Sequence, residues 1–205
     1  MSRNEVAILD FGSSRISILV GVKGVNNTFK IIASGSSEYA GFLDGEFIEP
    51  DNLSTAISYA KNQAENVYGK KIKRLYVGVP TEFCCNTLEH ISMNLNGRVR
   101  VKQKTINRLF ENAHIEYPNR EIINKTPIYF VLDDGNRVLN PLGCITSTLS
   151  VLSSYISIEE EFYKFLDTVF CEVGVYTIEL ISSALAESLY LIDPELRQNG
   201  AILVE

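Results

Sequence analysis

Histidine is nearly absent from this sequence: His90 and His114 are the only two, far apart and with no cysteine cluster beside either. The four cysteines, Cys84, Cys85, Cys144 and Cys171, show no Cys-x-x-Cys spacing. A zinc site therefore has no ligand set to draw on, and the thiols read as core residues in a reducing cytoplasm. A block of basic residues is missing too. The 19 Lys and Arg are interspersed with 25 Asp and Glu, for a net charge of -6, which argues against nucleic acid as the main partner. No apolar run approaches the roughly 20 residues of a membrane-spanning helix. The amino terminus, Met1-Ser2-Arg3-Asn4-Glu5, lacks an apolar stretch followed by a small-residue cleavage site. Without a secretory context the sequons at Asn26, Asn52 and Asn124 have no glycosylation to specify.

What is present is a hydrophobic content of 45% arranged in clear periods. Val6–Val20 is an apolar run, a small-residue turn and an alternating segment, which predicts a β-hairpin; Phe29–Ser36 supplies a third strand. Leu53, Ile57, Ala60, Ala64 and Val67 fall at helical spacing, with Asp51 or Asn52 after Pro50 as N-cap and Gly69 as stop. Arg74–Val79 then reads as a buried strand. A strand at Phe83–Leu95, a helix through Ile106, Leu109, Phe110 and Ala113, and strands at Glu121–Leu132 and Cys144–Ile156 follow. This block can close its own sheet with one helix upon it. Phe162–Val173 predicts an amphipathic helix ended by Gly174, Val175–Leu180 a strand, Ser183–Ile192 a helix, and Ala201–Val204 a last strand. Ending inside an apolar run, the sequence reads as the first part of a longer protein.

The chemically suggestive segment is Leu9-Asp10-Phe11-Gly12-Ser13-Ser14-Arg15. Gly12 permits close approach of backbone to a ligand, Ser13 and Ser14 add hydroxyl and N–H donors, and Asp10 can hold a hydrated divalent cation beside phosphate oxygens. Elsewhere, Glu159-Glu160-Glu161 opens a helix, where carboxylates favour the macrodipole, and is helix chemistry rather than an acid–base site.

Asp10-Phe11-Gly12-Ser13-Ser14-Arg15-Ile16 resembles the first phosphate motif of actin-like ATPases, and the version of the FtsA cell-division family, Asp-Ile-Gly-Thr-Ser-Lys-Ile, most of all. Gly41-Phe42-Leu43-Asp44-Gly45-Glu46-Phe47-Ile48 and Leu75-Tyr76-Val77-Gly78-Val79 are similar to the FtsA segments on either side of its first helix. The run from Ile128 to Gly143, with Asn140-Pro141-Leu142-Gly143 at its end, resembles the Tyr-x-Val-Asp…Ile-x-Asn-Pro-x-Gly run of the FtsA 1C subdomain. Glu179-Leu180-Ile181-Ser182-Ser183-Ala184-Leu185-Ala186 resembles the connection Glu-Pro-Leu-Ala-Ser-Ala-Leu-Ala, with Leu180 in place of Pro.

The resemblance implies an α/β, actin-like (ribonuclease H-like) mixed-sheet domain over 1–82 and 156–205, incomplete in itself, with a small α+β subdomain inserted over 83–155. It further implies ATP and Mg2+ as cofactors of the complete protein. Gly12, Ser13, Ser14 and Arg15 would sit at the phosphates, Asp10 at the metal's hydration shell, and Glu179 in a catalytic role near the water. Hydrolysis would be weak or absent, and binding by this half alone undetectable or nearly so. The position matching the Asp of the second phosphate motif is Glu205. Implied partners are FtsZ, other division proteins and further copies in a filament. The membrane would be reached only through a segment beyond this sequence, placing the protein at the cytoplasmic face of the division site. Two alternatives share the fold: a PilM-type pilus-assembly adaptor, and an interaction module that has lost hydrolysis.

Overall fold

A computed structural model describes residues 4–25, 28–193, 195–196 and 200–203. In chain order the elements are strands β1 (Glu5–Phe11), β2 (Arg15–Lys23), β3 (Phe29–Glu38), β4 (Phe42–Leu43) and β5 (Glu46–Phe47), then helix α1 (Leu53–Tyr68) and strand β6 (Arg74–Val79). Strand β7 (Cys85–Arg100), helix α2 (Gln103–Glu111) and strands β8 (Arg120–Leu132), β9 (Arg137–Val138) and β10 (Ile145–Glu159) follow. Helix α3 (Glu160–Glu172), strand β11 (Thr177–Ser182) and helix α4 (Ser183–Leu191) complete the described chain. The chain divides into two compact units, Met1–Cys84 with Glu161–Glu205, and Cys85–Glu160.

The first unit is built on a five-stranded mixed sheet of order β11-β6-β1-β2-β3. β1, β2 and β3 form an antiparallel meander, whereas β6 and β11 join parallel to β1. A parallel return needs a crossover, and α1 supplies it between β3 and β6. Its buried stripe, Leu53, Ala56, Ile57, Ala60 and Ala64, packs over the β2–β3 side of the sheet, where Ile18 and Ala33 are buried. Small residues set the spacing: a Cβ on Gly35 would stand 2.0 Å from the Ala60 carbonyl oxygen. Beneath the C-terminal end of α1, Glu65 accepts from Lys61 Nζ at 3.0 Å, Lys71 Nζ at 2.6 Å and the Ile72 N–H at 2.8 Å. A five-stranded mixed sheet with α1 as its crossover helix is the α/β arrangement expected from the sequence.

In the second unit a sheet of order β7-β10-β8-β9 carries α2 on one face. Ile91, Leu95, Leu109, Phe130, Leu149, Val151 and Tyr155 form its core. β9 is a two-residue addition beside β8, stabilised by the Asp133–Asn136 turn that the sequence predicts.

Several element boundaries differ from the sequence reading, among them those of β10, which runs from Ile145 to Glu159 and not from Cys144 to Ile156. Cys85 and Cys171, read as core thiols, are exposed. The strand predicted from Phe83 begins at Cys85, because Thr81–Phe83 form a 3-10 turn, and it runs on to Arg100 through a bulge where Asn96 and Gly97 have φ of 57° and 130°. The strand predicted at Val175–Leu180 runs instead from Thr177 to Ser182. Residues 174 and 175 are used up in closing α3: the Gly174 N–H donates to the Cys171 carbonyl and the Val175 N–H to that of Phe170, the paired bonds of a Schellman ending. The strand predicted at Ala201–Val204 does not form over Ala201–Leu203, where Ala201 and Ile202 are exposed. An apolar run becomes a strand only when a sheet edge receives it, and neither edge of the sheet does so here. Val204 and Glu205, and with Glu205 the predicted counterpart of the second phosphate motif, lie outside the described residues.

Candidate phosphate-binding edge

The Asp10–Arg15 turn stands at the end of the β1–β2 hairpin. Phe11 and Ile16 are the last paired residues, and the Gly12 N–H closes the turn on the Arg15 carbonyl at 2.9 Å. Asp10, Ser13, Ser14 and Arg15 are exposed. A side chain at Gly12 would begin 3.0 Å from the Arg15 carbonyl oxygen.

The turn is held from one side by the segment after β3. The Tyr39 N–H donates to the Ser14 carbonyl at 3.2 Å, and Gly41 approaches so closely that a Cβ there would lie 2.2 Å from Ser13 O. The Ile48 N–H fixes this loop by bonding to Gly41 O at 3.1 Å. Under the loop, Phe47 meets the rings of Phe11, Tyr39, Phe83, Phe162 and Phe165 with centroids 5.1 to 6.1 Å away. One of these rings belongs to the β1 residue that immediately precedes the turn. Burial pushes the Tyr39 phenol up to about 12, so its hydroxyl remains a donor to the Glu49 carbonyl, 2.9 Å away.

Register places Asp10 opposite Ser17 on one side and Gly78 on the other, with Ile181 next in the same row. All lie on the sheet face opposite α1. Arg15 shares that face and stands across from Glu38 on β3. The predicted phosphate residues are thus brought together at one end of the sheet. Glu179 is not among them. It sits in the row of Tyr76, ion-paired to Arg74, with both side chains about half exposed. Two residues along a strand and two strands across separate it from Asp10 by roughly 12 Å. The residue that does reach the Asp10 region is Ser183, at the first turn of α4, whose hydroxyl lies over Gly78 beside the Asp10 carboxylate. The sequence signal for this was a glycine between two valines in a buried strand, a position where glycine weakens the strand unless something must approach it.

Comparison with known proteins places this geometry among relatives. Residues 86–156 match the model of an SHS2 domain inserted in FtsA. Across 208 residues the chain is 25% identical to the cell division protein FtsA of Borreliella burgdorferi, covering 100% of this chain and 50% of that protein. It is 23% identical over 200 residues to the FtsA of Streptococcus pneumoniae, covering 96% of this chain and 44% of that one. The chain spans about half the length of these relatives. Among solved structures, a chain of the PilM–PilN type IV pilus biogenesis complex superposes with a TM-score of 0.55 at 14% identity, over 93% of this chain and 51% of the other. That likeness is one of fold.

Proposed function

We propose that this chain, which belongs to the FtsA family of cell division proteins, contributes one phosphate-binding jaw to an ATP site used in bacterial division. The observation that carries the reading is the Gly12–Arg15 turn at the sheet end, pinned by Gly41 and flanked by the exposed carboxylate of Asp10. Turn N–H groups and the Ser13 and Ser14 hydroxyls suit phosphate oxygens, and Arg15 adds positive charge. The oxygen donors around Asp10 suit magnesium, which prefers carboxylate and retained water to nitrogen or sulfur. Bound magnesium-ATP would supply the phosphoryl chemistry, and this chain's residues bind and orient it.

In the same reading the complete protein joins FtsZ and further copies of itself at the cytoplasmic face of the division site, held to the membrane by a segment outside this chain. Among the described residues no helix is long and apolar enough to cross a membrane. Calorimetric titration tests the site. In a protein of the relatives' full length, Asp10→Ala or Gly12→Val is expected to reduce magnesium-ATP binding sharply with the fold retained. Residues 1–205 alone are expected to bind weakly, since phosphates left in water gain little from each hydrogen bond. Unchanged binding by the Asp10→Ala protein would remove the assignment. Binding of a short pilus-assembly peptide in place of ATP would favour the PilM-type alternative.

A further inference from the structure

Gly78, like Gly21 and Gly35, is a strand glycine that no backbone conformation requires. It lies in the interior of β6, paired on both sides, is buried, and has no positive φ to require glycine. Its flanking residues, Val77 and Val79, show what that strand otherwise takes. The reason for the missing side chain must therefore be steric. The three atoms nearest to a Cβ built there are all oxygens: Ser183 Oγ at 2.8 Å, Asp10 Oδ1 at 3.3 Å and the Leu9 carbonyl at 3.6 Å.

From the sum of the first two distances, Ser183 Oγ and Asp10 Oδ1 lie within about 6 Å of each other. A single water hydrogen-bonded to both can span up to roughly 6 Å. The groups are a carboxylate, a hydroxyl and a carbonyl, with no nitrogen or sulfur, which is the donor set of a hard, hydrated cation. An anionic phosphate oxygen in the same place would face the Asp10 carboxylate at close range. Capping of α4 does not engage the Ser183 hydroxyl, since it falls to its neighbour: Ser182 Oγ accepts from the Leu185 N–H at 3.4 Å.

We infer that Ser183 is a positioning residue of the divalent-cation side of this site, receiving with Asp10 a water of hydrated magnesium, and that Gly78 is glycine to leave that water its space. The inference rests on the proposed ATP site and adds two residues to it. Glu179, which the family resemblance places near the attacking water, is engaged with Arg74 two rows back.

The test uses the full-length protein, with ATP affinity measured calorimetrically in magnesium and in EDTA, and folding followed by circular dichroism without nucleotide. Ser183→Ala is expected to weaken ATP binding about fivefold in magnesium, the loss of about one hydrogen bond, and to leave binding in EDTA unchanged. Ser183→Thr, which keeps the hydroxyl, should restore it. Gly78→Ala should also lower affinity in magnesium only. It should still do so when combined with Ser183→Ala, which removes the 2.8 Å contact but not the one to Asp10. If Asp10→Ala weakens binding and Ser183→Ala does not, the inference falls and the ATP site stands. Equal losses in magnesium and EDTA would make Ser183 a phosphate or structural residue and overturn it. If the unaltered protein shows no magnesium-dependent binding, or Asp10→Ala leaves it intact, the proposed site fails and the inference with it.

Discussion

Replacing Gly41 by alanine separates two reasons for a glycine. Gly41 has φ of 84° and its missing side chain points at the Ser13 backbone, 2.2 Å from the carbonyl oxygen and 2.9 Å from the carbonyl carbon. Gly69, at the end of α1, has a similar φ of 74° with nothing within 4 Å. Alanine in the left-handed region costs about 1–2 kcal/mol, and both variants bear that cost. Only Gly41→Ala must in addition force the Ser13 backbone away from the loop that the Tyr39 N–H ties to Ser14, an overpacking cost of about 1–3 kcal/mol. Gly41→Ala should therefore be less stable than Gly69→Ala by about 2 kcal/mol, or roughly 4–8 °C in melting temperature for a chain of this size. Thermal unfolding followed by circular dichroism measures the difference. The displaced atoms are those of the proposed phosphate turn, so Gly41→Ala should also lower ATP affinity in the full-length protein while Gly69→Ala should not. Equal melting temperatures for the two variants would refute the claim that Gly41 positions the turn.

Phe47→Ala removes the ring that touches five others and is expected to cost about 3–5 kcal/mol, read as a drop in the urea midpoint. Glu65→Gln leaves Lys61, only 8% exposed, without its ionic partner, at a cost of about 3–5 kcal/mol near neutral pH. Burial opposes the charge on Glu65, but the bonds from Lys71, Ile72 and Lys61 outweigh it and hold the carboxyl below its ordinary value. The stability it contributes is complete above about pH 4.3, the unfolded value, and disappears as pH falls through the lower folded one. Urea midpoints taken from pH 7 to pH 3 should fall more steeply for the unaltered protein than for Glu65→Gln. In the second unit, Tyr155 Oη is buried with no hydrogen-bond partner among the described residues, so Tyr155→Phe should be neutral or stabilise by about 1 kcal/mol. A loss of more than 1 kcal/mol on urea unfolding would show that the hydroxyl has a partner.

Periodicity in the sequence determined most elements of this protein, because alternation at two and at 3.6 residues reports which side of each element leaves water. The hairpin, α1 and the strand-helix-strand-strand block were legible in this way. So was the Gly12–Arg15 turn, since glycine and serine between two strands are local chemistry. Boundaries were less so: the Schellman ending of α3 consumed Val175, the first residue of the predicted strand, which began only at Thr177, and a two-residue shift moved Glu179 from the strand's end to its middle. Which residues meet across the sheet was decided by tertiary structure alone. Strand register put Gly78 beside Asp10, and the first turn of α4 put Ser183 above both, although 173 positions separate Asp10 from Ser183 in the chain. A sequence states its local preferences residue by residue. Proximity between distant residues follows from how the strands pair, and in this protein that pairing carried Ser183 to Asp10 and left Glu179 with Arg74.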